Sequence, residues 1–292
     1  MKLLAPVSSP AVGLETTLLV HGVPREAAAP LATELAAIVE ECGAHPAIVG
    51  VVNGQAIAGM NAAMLEAMLA SDDVPKVNTA NLGIALSQGF TAATTVSTTM
   101  EICAAAGIQF FATGGIGGVH RGYGAHLDIS ADLMALARFP VAVISSGVKS
   151  LLDVVSTREA LETLGVPVVG FQTDAFPAFY LRSSDAQVDI RMDDVASLAQ
   201  FAQEELARTG RGVLIVQPVP ANEALDAETF AAWLREAEDA AAEAGARGRD
   251  ATPAILGALH RISDGQTLRA NLALIRENAR LAARLAAAAR QG

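Results

Sequence analysis

The sequence lacks any apolar run long enough to cross a membrane, although 52% of its 292 residues are hydrophobic. A membrane-spanning helix needs about 18 or more consecutive apolar residues, and polar residues interrupt every apolar stretch here. The amino-terminal segment carries one lysine and too short an apolar run for a signal peptide. We therefore expect a globular protein of the cytoplasm, with no membrane partner.

Basic residues and cysteines are also scarce. The net charge of −11 argues against a nucleic-acid-binding surface, which would show clusters of basic side chains. Small anionic ligands are not excluded, because local groups hold them rather than the net charge. The two cysteines, Cys42 and Cys103, are too few for a disulfide framework, and we expect free thiols.

Lysine is rare as well, since only Lys2, Lys76 and Lys149 stand beside 17 arginines. A desolvated ammonium can lose its proton near neutral pH, whereas a guanidinium cannot. Lys149 lies among small residues directly after a predicted strand, where an amine can attack a carbonyl carbon. It can equally be a lysine whose stem covers apolar surface while its ammonium stays in water. Spacing alone leaves both interpretations open.

Short β-rich runs alternate with amphipathic helical patterns, which predicts an α/β fold. The predicted strands are residues 15–20, 47–52, 108–112, 141–145, 166–170 and 212–216. The predicted helices are residues 30–41, 62–70, 98–106, 133–138, 150–164, 193–208, 227–244 and 268–289.

Several of these strands are almost continuously apolar, as in parallel strands that are buried on both faces. The pair Asn53-Gly54 predicts a tight hairpin between residues 48–52 and 55–58. No linker rich in proline, glycine or serine divides the chain. We therefore predict one α/β/α layered domain over residues 1–292 with a largely parallel central sheet, and a mobile amino-terminal extension over residues 1–13.

A glycine-rich segment, residues 113–122, follows the predicted strand 108–112 and contains five glycines. Its backbone can wrap an anion with N–H groups, and His120 and Arg121 can add positive charge. Ligands of open α/β sheets gather at such carboxyl ends. The pattern is neither the Rossmann fingerprint nor a Walker A loop. A long structural turn is the alternative to a phosphate or sugar site.

Two carboxylates four residues apart, Asp128 and Asp132, come next, with Ser130 between them. They can serve as a helix cap and as first-turn charges, or they can bind a hard divalent cation through oxygen. Glu15 stands alone at the start of a predicted apolar strand. A buried carboxylate needs a partner or a task, and general acid–base catalysis is one such task.

With these residues in view, the chain resembles the pseudouridine-5′-phosphate glycosidase family from about residue 14 to residue 289. The strings that carry the resemblance are TTVSTTM at 94–100, FATGGIGGVHRG at 111–122, DISADL at 128–133, GVKSLLD at 147–153, GFQTDAFPAFY at 170–180 and LRANLAL at 268–274.

The resemblance implies a homotrimeric α/β/α enzyme that uses a divalent metal, taken to be manganese. Such an enzyme cleaves the C1′–C5 bond of pseudouridine 5′-phosphate, and its reverse reaction joins uracil to ribose 5-phosphate. By the same resemblance, Lys149 is the Schiff-base nucleophile on the ring-opened sugar, Glu15 the proton donor and Asp128 the metal anchor. The implied substrate-binding residues are Lys76, Val96, Thr113, His120, Ser130, Ala131, Asp132 and Asn271, with Thr113 and His120 by the phosphate and Asn271 at the base.

The sequence departs from the family pattern in two segments that can shape the base pocket. After His21-Gly22 the usual Met-Pro-Tyr-Pro-x-Asn is replaced by residues 23–28, and after Lys76-Val77 the usual Ser-Arg-Arg-Asp is replaced by residues 78–81. Near the carboxyl end the usual Asn-Asn pair reads Glu277-Asn278. A related synthase that joins ribose 5-phosphate to an aromatic or polyketide aglycone in antibiotic biosynthesis is therefore the alternative. A sugar-phosphate-binding protein without activity is a further one.

Overall fold

A computed structural model describes residues 3–4, 7–124, 127–245 and 251–289, which contain thirteen strands and eleven helices. The strands are β1 (Leu3–Leu4), β2 (Ala11–Glu15), β3 (His45–Val52), β4 (Gln55–Ala58), β5 (Lys76–Val77), β6 (Ala92–Thr94), β7 (Phe110–Ala112), β8 (Val119–His120), β9 (Ala142–Ser145), β10 (Leu152–Asp153), β11 (Val168–Phe171), β12 (Ile190–Met192) and β13 (Val213–Val216). The helices are α1 (Thr16–His21), α2 (Arg25–Glu41), α3 (Ala62–Ala70), α4 (Leu82–Ser87), α5 (Val96–Ala106), α6 (Ala131–Arg138), α7 (Val154–Thr163), α8 (Val195–Thr209), α9 (Ala227–Glu243), α10 (Ala251–Ile262) and α11 (Gln266–Ala289).

Eleven of these strands form one sheet in the order β1-β4-β3-β2-β7-β9-β13-β11-β12, with β6 beside β3 and β5 beside β6. All neighbours from β3 to β12 along this order are parallel. The strands β4 and β6 run antiparallel to β3. The prediction of a largely parallel central sheet is therefore confirmed. A separate antiparallel pair is formed by β8, within the glycine-rich segment, and β10, which follows Lys149.

Helices cover both faces of the sheet. Successive residues of a strand point to opposite faces, and in β2 Val12 and Leu14 pack into the same apolar cluster as residues of α2, α8 and α11. Gly13 faces the other way, because an added Cβ would lie 2.5 Å from Cys103 Sγ on α5. Buried residues of α5, α6 and α7 belong to a second apolar cluster, together with strand residues such as Phe111 and Val143. The predicted three-layered α/β/α arrangement is thus confirmed.

Most of the predicted elements are present. The strands predicted from residue 47 onward correspond to β3, β7, β9, β11 and β13, and the eight predicted helices correspond to α2, α3, α5, α6, α7, α8, α9 and α11. The hairpin is confirmed as well, since Val52 pairs with Gln55 and both turn residues, Asn53 and Gly54, have positive φ. Among the described residues no helix is long and apolar enough to cross a membrane.

The strand predicted over residues 15–20 is wrong. The strand is Ala11–Glu15, and the following residues form the helix Thr16–His21. A short apolar run does not distinguish a strand from a buried helical turn by its periodicity. The correction places Glu15 at the carboxyl end of a strand, which is the end where ligands bind in parallel sheets.

The predicted extension over residues 1–13 is wrong from residue 11 onward. Ala11–Glu15 pairs with β3 on one side and with β7 on the other, so it lies in the middle of the sheet. Val12 is fully buried and Leu14 is nearly so. Alternating apolar residues buried on one face of a central strand hold this segment in place by packing and by ladder hydrogen bonds.

Several helix boundaries also differ from the prediction. Helix α2 begins at Arg25, five residues before Pro30, although proline is most common in the first turn of a helix. Helix α7 begins at Val154 because Leu152–Asp153 first pairs with β8, and the Asp153 carboxylate then caps the helix by accepting a hydrogen bond from Ser156 N–H. The helices α1, α4 and α10 were not predicted.

The turn before Lys149 contains Gly147, whose backbone lies close to Pro177. Substitution of Gly147 tests this close approach. Gly147 has φ +79°, and an added Cβ would lie 1.8 Å from the carbonyl oxygen of Pro177. Gly89 has a similar φ of +72°, but a Cβ there meets no described atom within 4 Å. We expect Gly147→Ala to lower the free energy of unfolding by about 3–5 kcal/mol and Gly89→Ala by about 1 kcal/mol, measured by urea denaturation. Equal losses would contradict the close approach at Gly147.

Candidate active site

The neighbouring parallel strands β2, β7, β9 and β13 end at the same edge of the sheet. Glu15 is the last residue of β2, Thr113 follows β7, Ser146 follows β9 and Gln217 follows β13. Parallel strands align their carboxyl ends, so these polar side chains meet above the apolar core. Lys149 follows Ser146 by three residues and reaches the same edge.

Glu15 is the buried carboxyl group at this edge, with only 7% of the residue exposed. The Thr113 hydroxyl donates a hydrogen bond of 2.5 Å to Glu15 Oε1. The pKa of Glu15 is raised to about 7, mainly by burial and to a smaller extent by the charge of Asp132. Lys149, the Thr113 hydroxyl and Lys76 act in the opposite direction and lower the pKa. Glu15 therefore exchanges a proton near neutral pH, as a general acid–base group must.

Two lysines, Lys76 and Lys149, lie at the mouth of this site. Both are exposed residues, and both are close enough to Glu15 for their charges to lower its pKa. Partial desolvation of the Lys76 amino group lowers its own pKa, and the charge of Lys149 lowers it further, while Glu15 raises it. The two amines and the carboxyl group thus form one electrostatic cluster.

His21 joins this cluster, and the sequence reasoning did not assign it a role. Its Nε2 lies 2.9 Å from the carbonyl oxygen of Val74, two residues before Lys76. Partial burial lowers the pKa of His21, the charge of Lys76 lowers it further, and the contact with the Val74 carbonyl raises it. His21 ends α1, most of which was predicted as a strand. The direction of the His21 side chain therefore could not be predicted from the sequence.

The glycine-rich segment is packed against the protein more closely than predicted. Its N–H groups at Thr113, Ile116, Gly117, Val119 and His120 donate to protein acceptors. The prediction that the backbone N–H groups of this segment wrap an anion is therefore wrong for those five groups. Glycine is required here for close packing, since a Cβ at Gly117 would lie 2.3 Å from Ser130 Oγ.

The Asp132 carboxylate connects two segments of the backbone. Its Oδ1 accepts a hydrogen bond of 2.9 Å from Ser97 N–H at the start of α5, and its Oδ2 accepts one of 2.8 Å from Gly117 N–H. Asp132 is 5% exposed. Both oxygens thus have partners inside the protein, and the charge of Asp132 acts on Glu15 through space.

The other residues implied at the substrate surround the starts of two helices. Ser130 is the N-cap of α6, and its hydroxyl accepts a hydrogen bond of 3.2 Å from Asp132 N–H. Ala131 is the first residue of that helix and is partly exposed. Val96 is the first residue of α5 and is 1% exposed, which leaves almost no side-chain surface for a ligand.

Asp128 and His120 lie together at the exposed rim of the site. His120 Nδ1 is 3.7 Å from Asp128 Oδ2, and their side chains are 35% and 67% exposed. The described residues contain no group of three histidines, cysteines or acidic residues that could hold a metal ion. One carboxylate suits a hard divalent ion that keeps most of its water and also binds a phosphate, so Asp128 fits the implied metal in that form.

Asn271 on α11 reaches the site with an acceptor that has no partner. Its Nδ2 donates a hydrogen bond of 3.2 Å to the carbonyl oxygen of Gly22. Its Oδ1 is buried and finds no hydrogen-bond partner in the described part of the chain. A Cβ added to Gly114 would lie 3.4 Å from this oxygen. A buried acceptor without a partner is costly, so a donor from a ligand would satisfy it.

Asn278, also on α11, was noted in the sequence only as the retained member of the family's Asn-Asn pair, whose other member is Glu277 here. The residue is fully buried, and its Nδ2 donates to the carbonyl oxygen of Thr113 at 2.8 Å. Its Oδ1 accepts from Gln217 Nε2 at 3.0 Å. An amide on the apolar face of a helix, seven residues after Asn271, is the signal that could have revealed it.

A carboxyl group of raised pKa beside two lysines at the strand ends of a three-layered α/β fold is an arrangement typical of enzyme active sites. The model of the family described as "Indigoidine synthase A like protein" matches residues 5–288. The chain belongs to this family.

Named relatives agree with this assignment. The chain is 42% identical over 286 residues to a pseudouridine-5′-phosphate glycosidase of Dinoroseobacter shibae, which covers 96% of this chain and 92% of the relative. It is 43% identical over 282 residues to the protein of that name from Streptomyces griseus. This match covers 96% of this chain and 87% of the relative. The chain is therefore an enzyme of the same type as these glycosidases.

Two solved structures share the fold. An indigoidine synthase A-like protein of Thermotoga maritima superimposes with a TM-score of 0.86 at 36% identity, covering 95% of this chain and 92% of the other. The prealnumycin C-glycosynthase AlnA, solved in complex with ribulose 5-phosphate, gives a TM-score of 0.89 at 35% identity, with 97% and 92% covered.

The raised pKa of Glu15 predicts a pH-dependent stability. Its pKa rises from 4.5 to about 7 on folding, so its contribution to stability is fully present below pH 4.5 and is lost as the pH rises through 7. Between about pH 5.8 and 8.5 we expect the free energy of unfolding of the wild type to fall by about 1.5 kcal/mol relative to Glu15→Gln. Urea denaturation across this range measures the difference.

The matched control for this experiment is Glu159→Gln, which removes an exposed carboxylate from α7. We expect its stability to follow that of the wild type across the same pH range. Parallel pH dependences of the wild type and Glu15→Gln would contradict the raised pKa of Glu15.

Proposed function

We propose that this enzyme reversibly cleaves the C-glycosidic bond of pseudouridine 5′-phosphate to give uracil and ribose 5-phosphate. Lys149 forms a Schiff base with C1′ of the ring-opened sugar, and Glu15 transfers the proton. The observation that carries the proposal is Glu15 itself, a buried carboxyl group with a pKa of about 7 that lies within the electrostatic reach of Lys149 and Lys76. The relatives named pseudouridine-5′-phosphate glycosidase support the choice of substrate.

The bond to be broken explains why an amine is needed. A C-glycosidic bond has no leaving oxygen that a carboxylic acid can protonate, so the paired carboxylates of ordinary glycosidases have no role. Attack of the Lys149 amine on C1′ breaks the C1′–O4′ bond, and O4′ takes up a proton. The C1′–C5 bond then breaks with its electron pair going to C5 of uracil, which is protonated, and leaves a C1′ iminium on Lys149.

Water completes the reaction by hydrolysing the iminium, which releases ribose 5-phosphate and restores the free amine. A guanidinium cannot replace Lys149, because it does not lose its proton to become a nucleophile. Glu15 supplies the proton at C5 of uracil and takes it back in the reverse direction, for which a pKa of about 7 is suited.

The remaining site residues bind the two halves of the substrate in this proposal. Lys76 holds the anionic sugar phosphate by its charge, and Thr113 and His120 lie beside it. Ser130, Ala131 and Asp132 line the sugar, and Val96, whose side chain is buried, lies close by. The unpartnered Oδ1 of Asn271 accepts an N–H of the base, which would satisfy an otherwise unpaired buried acceptor.

Asp128 is the residue that would hold a divalent metal ion, which we propose to be Mn²⁺. When bound, such an ion supplies a positive centre that orients and polarises phosphate and sugar oxygens. The exposure of the Asp128 carboxylate supports an ion that keeps several waters. The side chain of His120, 3.7 Å away, remains available to the phosphate.

The metal proposal predicts a loss of affinity when Asp128 is changed. We expect chelation to lower the activity, Mn²⁺ to restore it, and Asp128→Asn to need at least about tenfold more Mn²⁺ for the same recovery. Mn²⁺ binding followed by electron paramagnetic resonance gives the affinity directly. Asp174→Asn, an exposed carboxylate elsewhere, is the control. An unchanged Mn²⁺ affinity in Asp128→Asn would exclude Asp128 as the anchor.

The Schiff base can be trapped. Incubation with ribose 5-phosphate and borohydride should reduce the iminium to a stable adduct, which peptide mass spectrometry should locate on Lys149. Lys149→Arg keeps the charge and should abolish trapping, whereas Lys76→Arg should still give the adduct on Lys149. A protein that only binds the sugar phosphate would give none. An adduct on another residue, or no adduct, would refute the mechanism.

A C-ribosylating synthase that uses an aromatic or polyketide aglycone is the second candidate. Its support is the likeness to the C-glycosynthase AlnA and the position of the two altered segments. Residues 23–28 follow Gly22, whose carbonyl holds Asn271, and residues 78–81 follow the strand of Lys76. A Lys149 adduct without pseudouridine 5′-phosphate formed from uracil and ribose 5-phosphate would favour this synthase.

We also propose that three copies assemble and that the enzyme works in the cytoplasm. Large apolar side chains are exposed around α6, with Leu127 at 86%, Met134 at 51% and Ile129 at 48%, which supports burial against another copy. Light scattering coupled to size-exclusion chromatography would measure the assembly. A monomer at micromolar concentration would refute the trimer.

A further inference from the structure

Asn278 lies where an apolar residue is expected. It belongs to the face of α11 that carries Leu274 and Leu281, and all three residues are buried. Burying an amide costs free energy unless its donors and acceptors are all used. The contacts of Asn278 therefore indicate what the amide does in this position.

Those contacts join the ends of three neighbouring strands. Nδ2 donates to the Thr113 carbonyl after β7 at 2.8 Å and lies 3.2 Å from Ser146 Oγ after β9. Oδ1 accepts from Gln217 Nε2 after β13 at 3.0 Å. A single side chain thus connects three strand ends, and one of them is directly linked to the proton-transferring group.

That link is Thr113. Its N–H donates to the Ile144 carbonyl at 3.0 Å and its own carbonyl accepts from Asn278, so its backbone is held from both sides. A β-branched side chain on a fixed backbone has few rotamers, which directs the Thr113 hydroxyl. The hydroxyl donates to Glu15 Oε1 at 2.5 Å.

We propose that Asn278 is a positioning residue for proton transfer, because it fixes the Thr113 backbone so that the Thr113 hydroxyl stays on Glu15. The catalytic role of Glu15 is taken from the proposed function, but the geometric link can be tested without activity. Lys149, Lys76 and Asp132 are the charged groups that act on Glu15. In the described residues Asn278 hydrogen-bonds to none of these three, so its loss acts through Thr113.

The test determines the ionisation of Glu15 from the pH dependence of the free energy of unfolding. The free energy of unfolding is measured against pH for each variant with Glu15 and with Glu15→Gln, and the difference gives the pH at which Glu15 ionises. A hydroxyl that donates to a carboxylate favours its charged form. Asn278→Leu and Thr113→Val should therefore each move this pH upward by about one unit, and the double variant should move it no further.

Two further variants keep the test decisive. Asn278→Ser is used if Asn278→Leu does not fold, and the same upward movement is expected. Leu285→Ala removes a fully buried side chain of α11 two turns further on. It should lower stability without moving the ionisation of Glu15, and movement equal to that of Asn278→Leu would show general loosening and overturn the proposal.

Failure of this proposal differs from failure of the proposed function. An unchanged ionisation in the Asn278 variants, with or without movement in Thr113→Val, overturns the positioning role, whatever the borohydride result. A shifted ionisation with no adduct on Lys149 leaves the positioning role standing and refutes the Schiff base. If the enzyme is active, the alkaline fall of kcat/KM in the cleavage direction should move to higher pH in Asn278→Leu. A purely structural role would instead lower kcat/KM at all pH values.

Discussion

The burial of one carboxyl group at the end of the central strand is the constraint on which the rest of this site depends. Glu15 ends β2 in the middle of the sheet, where water has little access, so its charged form is disfavoured. Two lysines and one hydroxyl reduce that penalty without removing it, and the group is left balanced between its two protonation states. The arrangement of β7, α11 and the segment before Lys149 can be understood as the support that this balance needs.

The layered fold was predictable because strands and helices alternate with clear apolar patterns. Five strands and the Asn53-Gly54 hairpin follow from local sequence alone. Residues 11–20 were misjudged for a physical reason, since a short apolar segment packs equally well as a buried strand or as a helical turn. The consequence was functional, because the end of that strand is where Glu15 lies.

The sequence predicted which residues belong to the site better than it predicted their hydrogen bonds. Glycine spacing and isolated lysines pointed to residues 113–122 and Lys149, but not to the protein acceptors that occupy much of the loop's backbone. Asn278 meets Thr113 across 165 residues of sequence. Such a contact follows from the order of the strands in the sheet, which local propensity does not contain. The membership in the family narrowed the chemistry, while the geometry showed how the acid is held.

Helix α11 carries two amide side chains with different contacts. Asn271 and Asn278 are seven residues apart, about 10 Å along the axis. Of the positions that depart from the family pattern, residues 23–28 form the start of α2 and the turn before it, and residues 78–81 connect β5 to α4. The third departure, Glu277, lies on α11 beside Asn278. Glu15, Thr113 and Asn278 themselves are not among the residues that depart from the pattern. Substitutions at the starts of α2 and α4 can therefore reshape the surroundings of the site without replacing the carboxyl group or the hydrogen bonds that hold it.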